Sequence, residues 1–313
     1  MYRKEIKVMD CTVRDGGIMN NWLFKDEFVK AVYDACVDSG VDYMEVGYIS
    51  NEKAFSRKEN GAWKFCSEQD IRRVIGDNDT SLKLCAMADI GRVEYDDIPP
   101  KKDHVLDMIR VACYVHQVDK AIAMAHHCME KGYEVTINLM AVSKVMEHDL
   151  DEALNDLSNS KVPIIYVVDS FGSMYCEQVE ALVGKYKKAL PGKTIGIHAH
   201  NNMQLAFSNT VTGIIEGCNM LDATLLGIGR GAGNCPLEIL MSFLKNPKFK
   251  LQPIYQVIQD HLIPMQKEIQ WGYHIPYLIT GALNEHPRSA MKFMNSESND
   301  FVSFYNNMTD PHA

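Results

Sequence analysis

Three observations predict an α/β chain folded as one closed (β/α)8 barrel, the TIM-barrel architecture, with a short carboxyl-terminal helical extension. Eight short apolar runs alternate with helical patterns from Ile6 to about residue 246, and strands separated by helices build a parallel sheet through right-handed crossovers. Eight such units are the number that closes a barrel; a doubly wound open sheet is the lesser option. The length of 313 residues fits a barrel of roughly 250 residues plus additions. Polar residues also stand at the carboxyl ends of several runs, where barrels of this kind carry their chemistry.

The apolar runs at 6–12, 43–48, 82–89, 108–113, 133–140, 164–169, 194–200 and 221–227 are the expected strands. Helical patterns lie between them at 26–39, 119–131, 150–159, 176–189, 204–216 and 236–244. Gly40, Gly132 and Gly217 follow three of these, as suits a helix that stops in the left-handed conformation. The barrel is therefore assigned to 1–249. Residues 250–313 carry Trp271, Tyr273 and Tyr277 in helix-like and turn-rich sequence, which either covers one face of the barrel or forms the contact of a homodimer.

Hydrophobic residues at 46% and charged residues at 23% are globular values that leave no room for extended disorder. A formal charge of −9 argues against nucleic acid as partner, because phosphate binding needs a basic face. The start of the chain does not resemble a secretory signal, and no apolar run approaches the ~18 residues of a membrane helix. The nine cysteines form no C-x-x-C pair and read as free thiols in a reducing compartment. A cytoplasmic enzyme of small metabolites is the expectation.

The residues that carry chemistry begin with the seventh run, Thr194-Ile195-Gly196-Ile197-His198-Ala199-His200. Alternate residues of a strand point to one face, so His198 and His200 project together at its carboxyl end. They are either a metal-binding pair or two unrelated histidines. The first run ends in Asp10-Cys11-Thr12-Val13-Arg14-Asp15-Gly16-Gly17, which offers a carboxylate ligand, a fixed cation and a flexible turn, or else a local ion pair. Glu45 and Asp169 face the same mouth; each either orients a ligand or the arginine, or is satisfied by a neighbouring loop. After the eighth run, Gly227-Ile228-Gly229-Arg230-Gly231-Ala232-Gly233-Asn234-Cys235-Pro236 has glycines spaced to bring amides near an anion. Barrel closure places Asp15, His198, His200 and Asn234 on neighbouring strands. Two imidazoles, a carboxylate and an amide oxygen suit Mn²⁺, Mg²⁺, Co²⁺ or Zn²⁺, with positions open for a chelating substrate.

These motifs, together with Glu45-Val46-Gly47, Asp169-Ser170-Phe171-Gly172 and His198-Ala199-His200-Asn201-Asn202, resemble the DRE-TIM metallolyases, the HMG-CoA lyase-like or pyruvate carboxyltransferase family. The glycine loop followed by Cys235-Pro236-Leu237-Glu238 is most similar to the branch containing 4-hydroxy-2-oxovalerate aldolase. The resemblance implies that Asp15, His198 and His200 bind the divalent metal, Mn²⁺ first among the candidates, with Asn234 at or near it. It also implies that Arg14 stabilises an enolate oxygen, and Arg14, Glu45 and Asp169 are the expected catalytic residues. The implied activity is a metal-dependent aldolase that cleaves or forms a 4-hydroxy-2-oxo acid through a pyruvate enolate. The small-molecule 2-oxo acid is then its substrate.

One departure stands out. Aldolases of this branch carry a histidine shortly after the arginine-aspartate pair as base for the substrate hydroxyl, and this chain has Gly17-Ile18-Met19 there. His116, Tyr48 and Tyr114 lie near strand ends as replacements, and a water beside the metal is the favoured one. The lyase-type cysteine of the glycine loop is absent too, since Cys235 follows Asn234. Two other readings stay open: a Claisen-type synthase joining an acyl-CoA to a 2-oxo acid, and a catalytically silent metal-binding barrel. The aldehyde and any dehydrogenase partner are not written in these motifs.

Overall fold

A computed structural model describes residues 3–296 and 298–310. Its eight parallel strands close into a barrel in sequence order. They are β1 (Lys7–Asp10), β2 (Tyr43–Tyr48), β3 (Lys83–Asp89), β4 (Met108–Tyr114), β5 (Glu134–Met140), β6 (Ile164–Asp169), β7 (Thr194–Ala199) and β8 (Met220–Ala223). Closure is made by β1 against β8, with Met9 opposite Asp222 and Asp10 opposite Ala223.

Parallel strands covered on both faces read as near-continuous apolar runs, and these do so apart from inward polar residues such as Glu45, Arg110 and Asp222. Val8, Met44, Leu84 and Ile109 face the surrounding helices. Met9, Tyr43, Cys85, Met108, Tyr166 and Met220 point inward and fill the barrel's lower half. The helices form where the sequence pattern places them: Asp26–Ser39 and Cys176–Ala189 match it to the residue. Gly40 and Gly217 close their helices at φ 73° and 104°, a region in which side chains are strained. Helix Glu68–Val74 is an addition to the expected set. Its Ser67 cap accepts from the amide of Asp70, so the signal lay in a capping pattern rather than in a long apolar period.

Two expected strands, β1 and β8, are each three residues shorter than their apolar runs. At the end of β1 the Asp10 carboxylate accepts from the Thr12 hydroxyl at 2.5 Å and the Thr12 amide at 3.2 Å, and this turns the chain into a helix at Thr12–Gly16. Beyond β8, Leu225–Gly227 is a single 3-10 turn. The Leu225 amide donates to the Thr12 hydroxyl across the closure, at 2.8 Å.

The carboxyl-terminal residues cover the barrel's open end. Helices Ile275–Ala282, Arg288–Met294 and Phe301–Thr309 share a small core of Tyr277, Ala290 and Phe304 with Ala232 of the glycine loop. Helix Leu251–Val257 lies instead against Asp26–Ser39 on the barrel's flank. All nine cysteines are free, and all but Cys176 are buried. Among the described residues no helix is long and apolar enough to cross a membrane.

Candidate metal centre

The inward positions of the upper barrel change from apolar to charged. Glu45, Arg110 and Asp222, from β2, β4 and β8, form a fully buried layer above Tyr166. One Arg110 Nη lies 2.8 Å from Glu45 Oε2 and the other 2.6 Å from Asp222 Oδ2. The Tyr166 ring lies beneath the guanidinium, 4.5 Å from centroid to Cζ. Burial works against the ionised form of Asp222, but Arg110 and the His198 contact outweigh it and hold the carboxyl at about 2.

Above this layer the helix Thr12–Gly16 carries Arg14 and Asp15 over the barrel axis. Arg14 Nε donates to Glu45 Oε2 at 2.7 Å, and its Nη1 lies 3.2 Å from Asp15 Oδ1. The Trp22 indole donates to the Arg14 carbonyl at 2.9 Å. A Cβ on Gly17 would come within 2.0 Å of that indole, so Gly17 permits the close approach. Gly16 and Gly17 have helical φ values of −59° and −60°. The expected flexible turn is therefore a rigid helical one, because Asp10, Trp22 and Glu45 all fasten it.

Asp15, His198 and His200 come together. Asp15 Oδ2 is 3.4 Å from His198 Nε2 and 3.5 Å from His200 Nε2. His198 Nδ1 is 2.9 Å from Asp222 Oδ2, and His200 Nδ1 is 3.0 Å from the Asp169 carbonyl. Each ring thus gives its Nδ1 proton to an acceptor behind it and turns an Nε2 lone pair toward Asp15. Both Asp15 oxygens, His198 Nε2 and Asn234 Oδ1 are buried without a hydrogen-bond partner. Buried polar atoms left unpaired are costly; one ligand atom each from Asp15, His198 and His200 lies within 4.8 Å of the others, and this grouping fits a divalent cation. Burial raises the Asp15 pKa, yet Arg14 and the two histidines outweigh it and keep the group ionised.

Asn234 joins through the glycine loop. It bridges to His200, and a Cβ on Gly229 would lie 2.1 Å from its Nδ2 and 3.3 Å from Asp15 Oδ2. The glycine leaves the space in which Asn234 reaches the centre. Of the loop's amides, Gly227, Ile228, Gly233 and Asn234 donate to carbonyls of the same segment, and Ala232 donates to Asn202 Oδ1. A second group of ligand-type side chains, Cys11, His198 and Asp222, is unsuited to a cation. Burial holds the Cys11 thiol protonated, and Arg110 already neutralises Asp222.

Glu45 acts on Arg14, as expected. Asp169 does not use its carboxylate in the site. Those oxygens accept from the amides of Ser173 and Met174, at 3.1 and 3.3 Å, and it is the Asp169 carbonyl that orients His200. Burial pushes its carboxyl up to about 6 against those amides. The reading of a carboxylate aimed into the mouth is corrected accordingly: the turn after β6 folds back and takes it.

The centre opens into a cavity of about 590 Å³ lined by Arg14, Tyr48, Lys64, Arg230 and His286 among others. Tyr48 is buried there, whereas Tyr114 stands at the rim, 43% exposed. His116 is exposed and stacks on Tyr114 at 5.8 Å, outside the cavity lining. Lys64 is buried among the rings of Trp22, Tyr48 and Phe55, with Nζ 4.1, 4.2 and 4.0 Å from their centroids. Burial lowers its pKa to about 8. Arg110, Asp222, Lys64 and His286 were not among the expected site residues. The first two are charged residues inside apolar strand runs, and that is a readable signal. Lys64 and His286 come from a loop and from the tail, where nothing local points inward.

The chain is similar to known proteins over most of its length. The family model HMGL-like matches residues 5–260. The 4-hydroxy-2-oxovalerate aldolase of Thermus thermophilus is 31% identical over 245 residues, 76% of this chain and 68% of that one. The oxaloacetate decarboxylase of Mycobacterium tuberculosis is 29% identical over 77% of this chain and 70% of its own length. Among solved structures, the N-terminal domain of a Bacteroides vulgatus protein assigned as an aldolase superposes with a TM-score of 0.79. It has 28% identity and covers 96% of this chain and 100% of that one.

Proposed function

The chain belongs to the HMGL-like family, and from that membership we propose that it is a divalent-metal-dependent aldolase cleaving or forming a 4-hydroxy-2-oxo acid through a pyruvate enolate. The observation that carries the reading is the meeting of ligand atoms from Asp15, His198 and His200, with the unpartnered Asn234 Oδ1 on the glycine loop bridged to His200 and the guanidinium of Arg14 against Asp15. Asp15, His198 and His200 would hold the metal, with Asn234 at its edge. The mixed nitrogen and oxygen donor set accepts Mn²⁺, the first candidate, and equally Mg²⁺, Co²⁺ or Zn²⁺. When bound, the cation supplies a Lewis acid that polarises the 2-oxo group of a substrate and neutralises its carboxylate.

The chain's own residues do the rest. Arg14 is held by Glu45 and Asp15, so its guanidinium is preorganised where negative charge grows on the ketone oxygen as the C3–C4 bond breaks. In cleavage the 4-hydroxyl loses its proton, the electron pair of the C3–C4 bond passes into the enolate, and an aldehyde leaves. Protonation at C3 then gives pyruvate. Glu45, tied to both Arg14 and Arg110, positions Arg14 rather than touching substrate. Tyr48 keeps its proton, since burial raises the phenol's pKa, and serves as a hydrogen-bond donor in the cavity.

Decarboxylation of a 2-oxo diacid is the second reading, favoured by the 29% identical decarboxylase, and it would pass through the same enolate. The deciding experiment measures pyruvate release from 4-hydroxy-2-oxo acids by metal-stripped protein with Mn²⁺ restored, beside CO₂ release from oxaloacetate. It also follows exchange of pyruvate methyl protons with D₂O. Absence of both exchange and release would refute enolate chemistry.

A further inference from the structure

The cavity above the metal centre is larger and more positive than pyruvate and a small neutral aldehyde require. At about 590 Å³ it lies within the range that encloses drug-sized ligands. The chain as a whole carries a formal charge of −9, yet Arg14, Lys64, Arg92, Arg230, Arg288 and Lys292 all line this space, against only Asp15 and Asp89. Arg14 is neutralised by Glu45 and Asp15, and Arg92 by Asp89 at 3.0 Å. Among the described residues, no carboxylate pairs with Arg230, Arg288 or Lys292.

Arg230 is the strongest of these observations. One Nη donates to the Ser170 carbonyl at 2.6 Å, the other lies 3.4 Å from His286 Nε2, and the Nε is buried with no partner. Asp15 is the carboxylate that acts on it, but Asp15 already pairs with Arg14, and a half-buried guanidinium left short of counter-charge is unfavourable unless a ligand supplies it. His286 does not supply it: burial, helped by Arg230 and Arg288, pushes the imidazole down to about 4 and keeps it neutral.

The tail places two more cations beside this group. In helix Arg288–Met294, Arg288, Met291, Lys292 and, just past its end, Asn295 line the cavity. They are spaced i, i+3, i+4 and i+7, which is one helix face. Ala290 and Phe293 lie off that face, in the small core with Phe304. Like charges at i and i+4 repel, and an anion between them and Arg230 removes the conflict.

We infer that the part of the substrate farthest from its 2-oxo acid end carries an anionic oxyacid group, a carboxylate or a phosphate, which docks against Arg230, Arg288 and Lys292 beneath the carboxyl-terminal helices. This rests on the aldolase reading for which end of the substrate sits at Asp15 and the two histidines. The aldehyde released in cleavage is then itself anionic, and the tail sets substrate choice while the barrel sets the chemistry.

Titration calorimetry on the Mn²⁺-loaded protein tests this with two ligands of equal chain length, 2-oxoadipate and 2-oxohexanoate. They differ only in a distal carboxylate. The expected result is at least tenfold tighter binding of 2-oxoadipate. In the double variant Arg288→Gln, Lys292→Gln the ratio falls below threefold while 2-oxohexanoate affinity stays within twofold. The phosphonate counterpart of 2-oxoadipate, run beside it, tells which anion is preferred. Equal affinity of the matched pair for the wild-type protein, or an unchanged ratio in the double variant, overturns the inference. Pyruvate methyl exchange in the same preparation separates the two claims: exchange without anion preference removes the distal site alone, and anion preference without exchange removes the aldolase reading alone.

Discussion

His198 Nδ1 stands 2.9 Å from the Asp222 carboxylate, and this contact decides which ring nitrogen faces Asp15. With the proton on Nδ1, the Nε2 lone pair is turned toward Asp15. The same Asp222 oxygen receives Arg110 at 2.6 Å, so the histidine's orientation is set by a carboxylate of the neighbouring β8 that Arg110 of β4 holds from across the barrel.

Asp222→Asn should therefore weaken metal binding without removing a ligand. Loss of such an outer partner lowers metal affinity about 10–100-fold. The substitution also leaves Arg110 short of one counter-charge, at a cost approaching about 3 kcal/mol. Calorimetric titration with Mn²⁺ and a denaturant melt read the two effects. Unaltered affinity would mean that the contact does not set the tautomer.

His198→Ala and His200→Ala should each lose most bound metal and nearly all turnover. Both side chains lie at the top of β7, above the apolar layer of Met9, Met108 and Tyr166, so the fold should persist. Elemental analysis and circular dichroism check this; full metal content in either variant contradicts the ligand assignment.

The sequence made the barrel legible because its strands are buried on both faces and its helices end at capping glycines. The grouping of Asp15, His198 and His200 was legible for a related reason: the histidines end β7, Asp15 stands in the turn after β1, and closure brings those two ends to one mouth. Asp169 misled because a strand-end carboxylate looks the same whether it faces the mouth or the amides of Ser173 and Met174. Lys64 and the helix Arg288–Met294 were out of reach, since their approach to the cavity depends on packing across long sequence distances. Glu45 was read correctly as a partner of the arginine, but its second partner Arg110 was not, although a charged residue in Met108-Ile109-Arg110-Val111-Ala112 is itself a warning.

Arg14→Lys separates charge from geometry. Lysine keeps the positive charge but loses the planar fork that reaches Glu45 and Asp15 together. Metal content should remain normal while kcat falls about 10²-fold or more, the scale of losing a preorganised donor at a developing oxyanion. Wild-type kcat in this variant would take Arg14 out of the chemical step.

Lys64 makes a statement about pH. Its folded pKa of about 8 lies below the ordinary 10.5 because burial disfavours the ammonium. Below pH 8 both folded and unfolded chains hold the proton and the penalty is fully present. Between 8 and 10.5 only the unfolded chain keeps it, so stability rises with pH over that window. Three aromatic faces return part of the cost. Lys64→Met should accordingly be more stable than wild type at pH 7, by about 1–3 kcal/mol, with the gap closing toward pH 10. Thermal melts at the two pH values measure it, and a less stable variant at pH 7 would show that the aromatic cage outweighs burial.

The base for the substrate hydroxyl is the last question, and the positions of His116, Tyr114 and Tyr48 bear on it directly. A side chain acting as base must lie within hydrogen-bond reach of the hydroxyl and near its own pKa. His116 is exposed and outside the cavity lining, so His116→Gln should leave kcat/KM unchanged. Tyr114 touches the cavity only from the rim, and Tyr114→Phe should change it a few-fold at most. Tyr48 lies inside, but burial raises its pKa, so at neutral pH it donates a hydrogen bond and does not accept a proton. Loss of one such bond is worth about 1 kcal/mol; Tyr48→Phe should then cost about fivefold. General bases contribute about 10²–10⁴-fold. Steady-state kinetics on the three variants at matched metal content decide the matter, because a loss of 10³-fold in any of them would identify that residue as the base and replace the water that otherwise takes the proton.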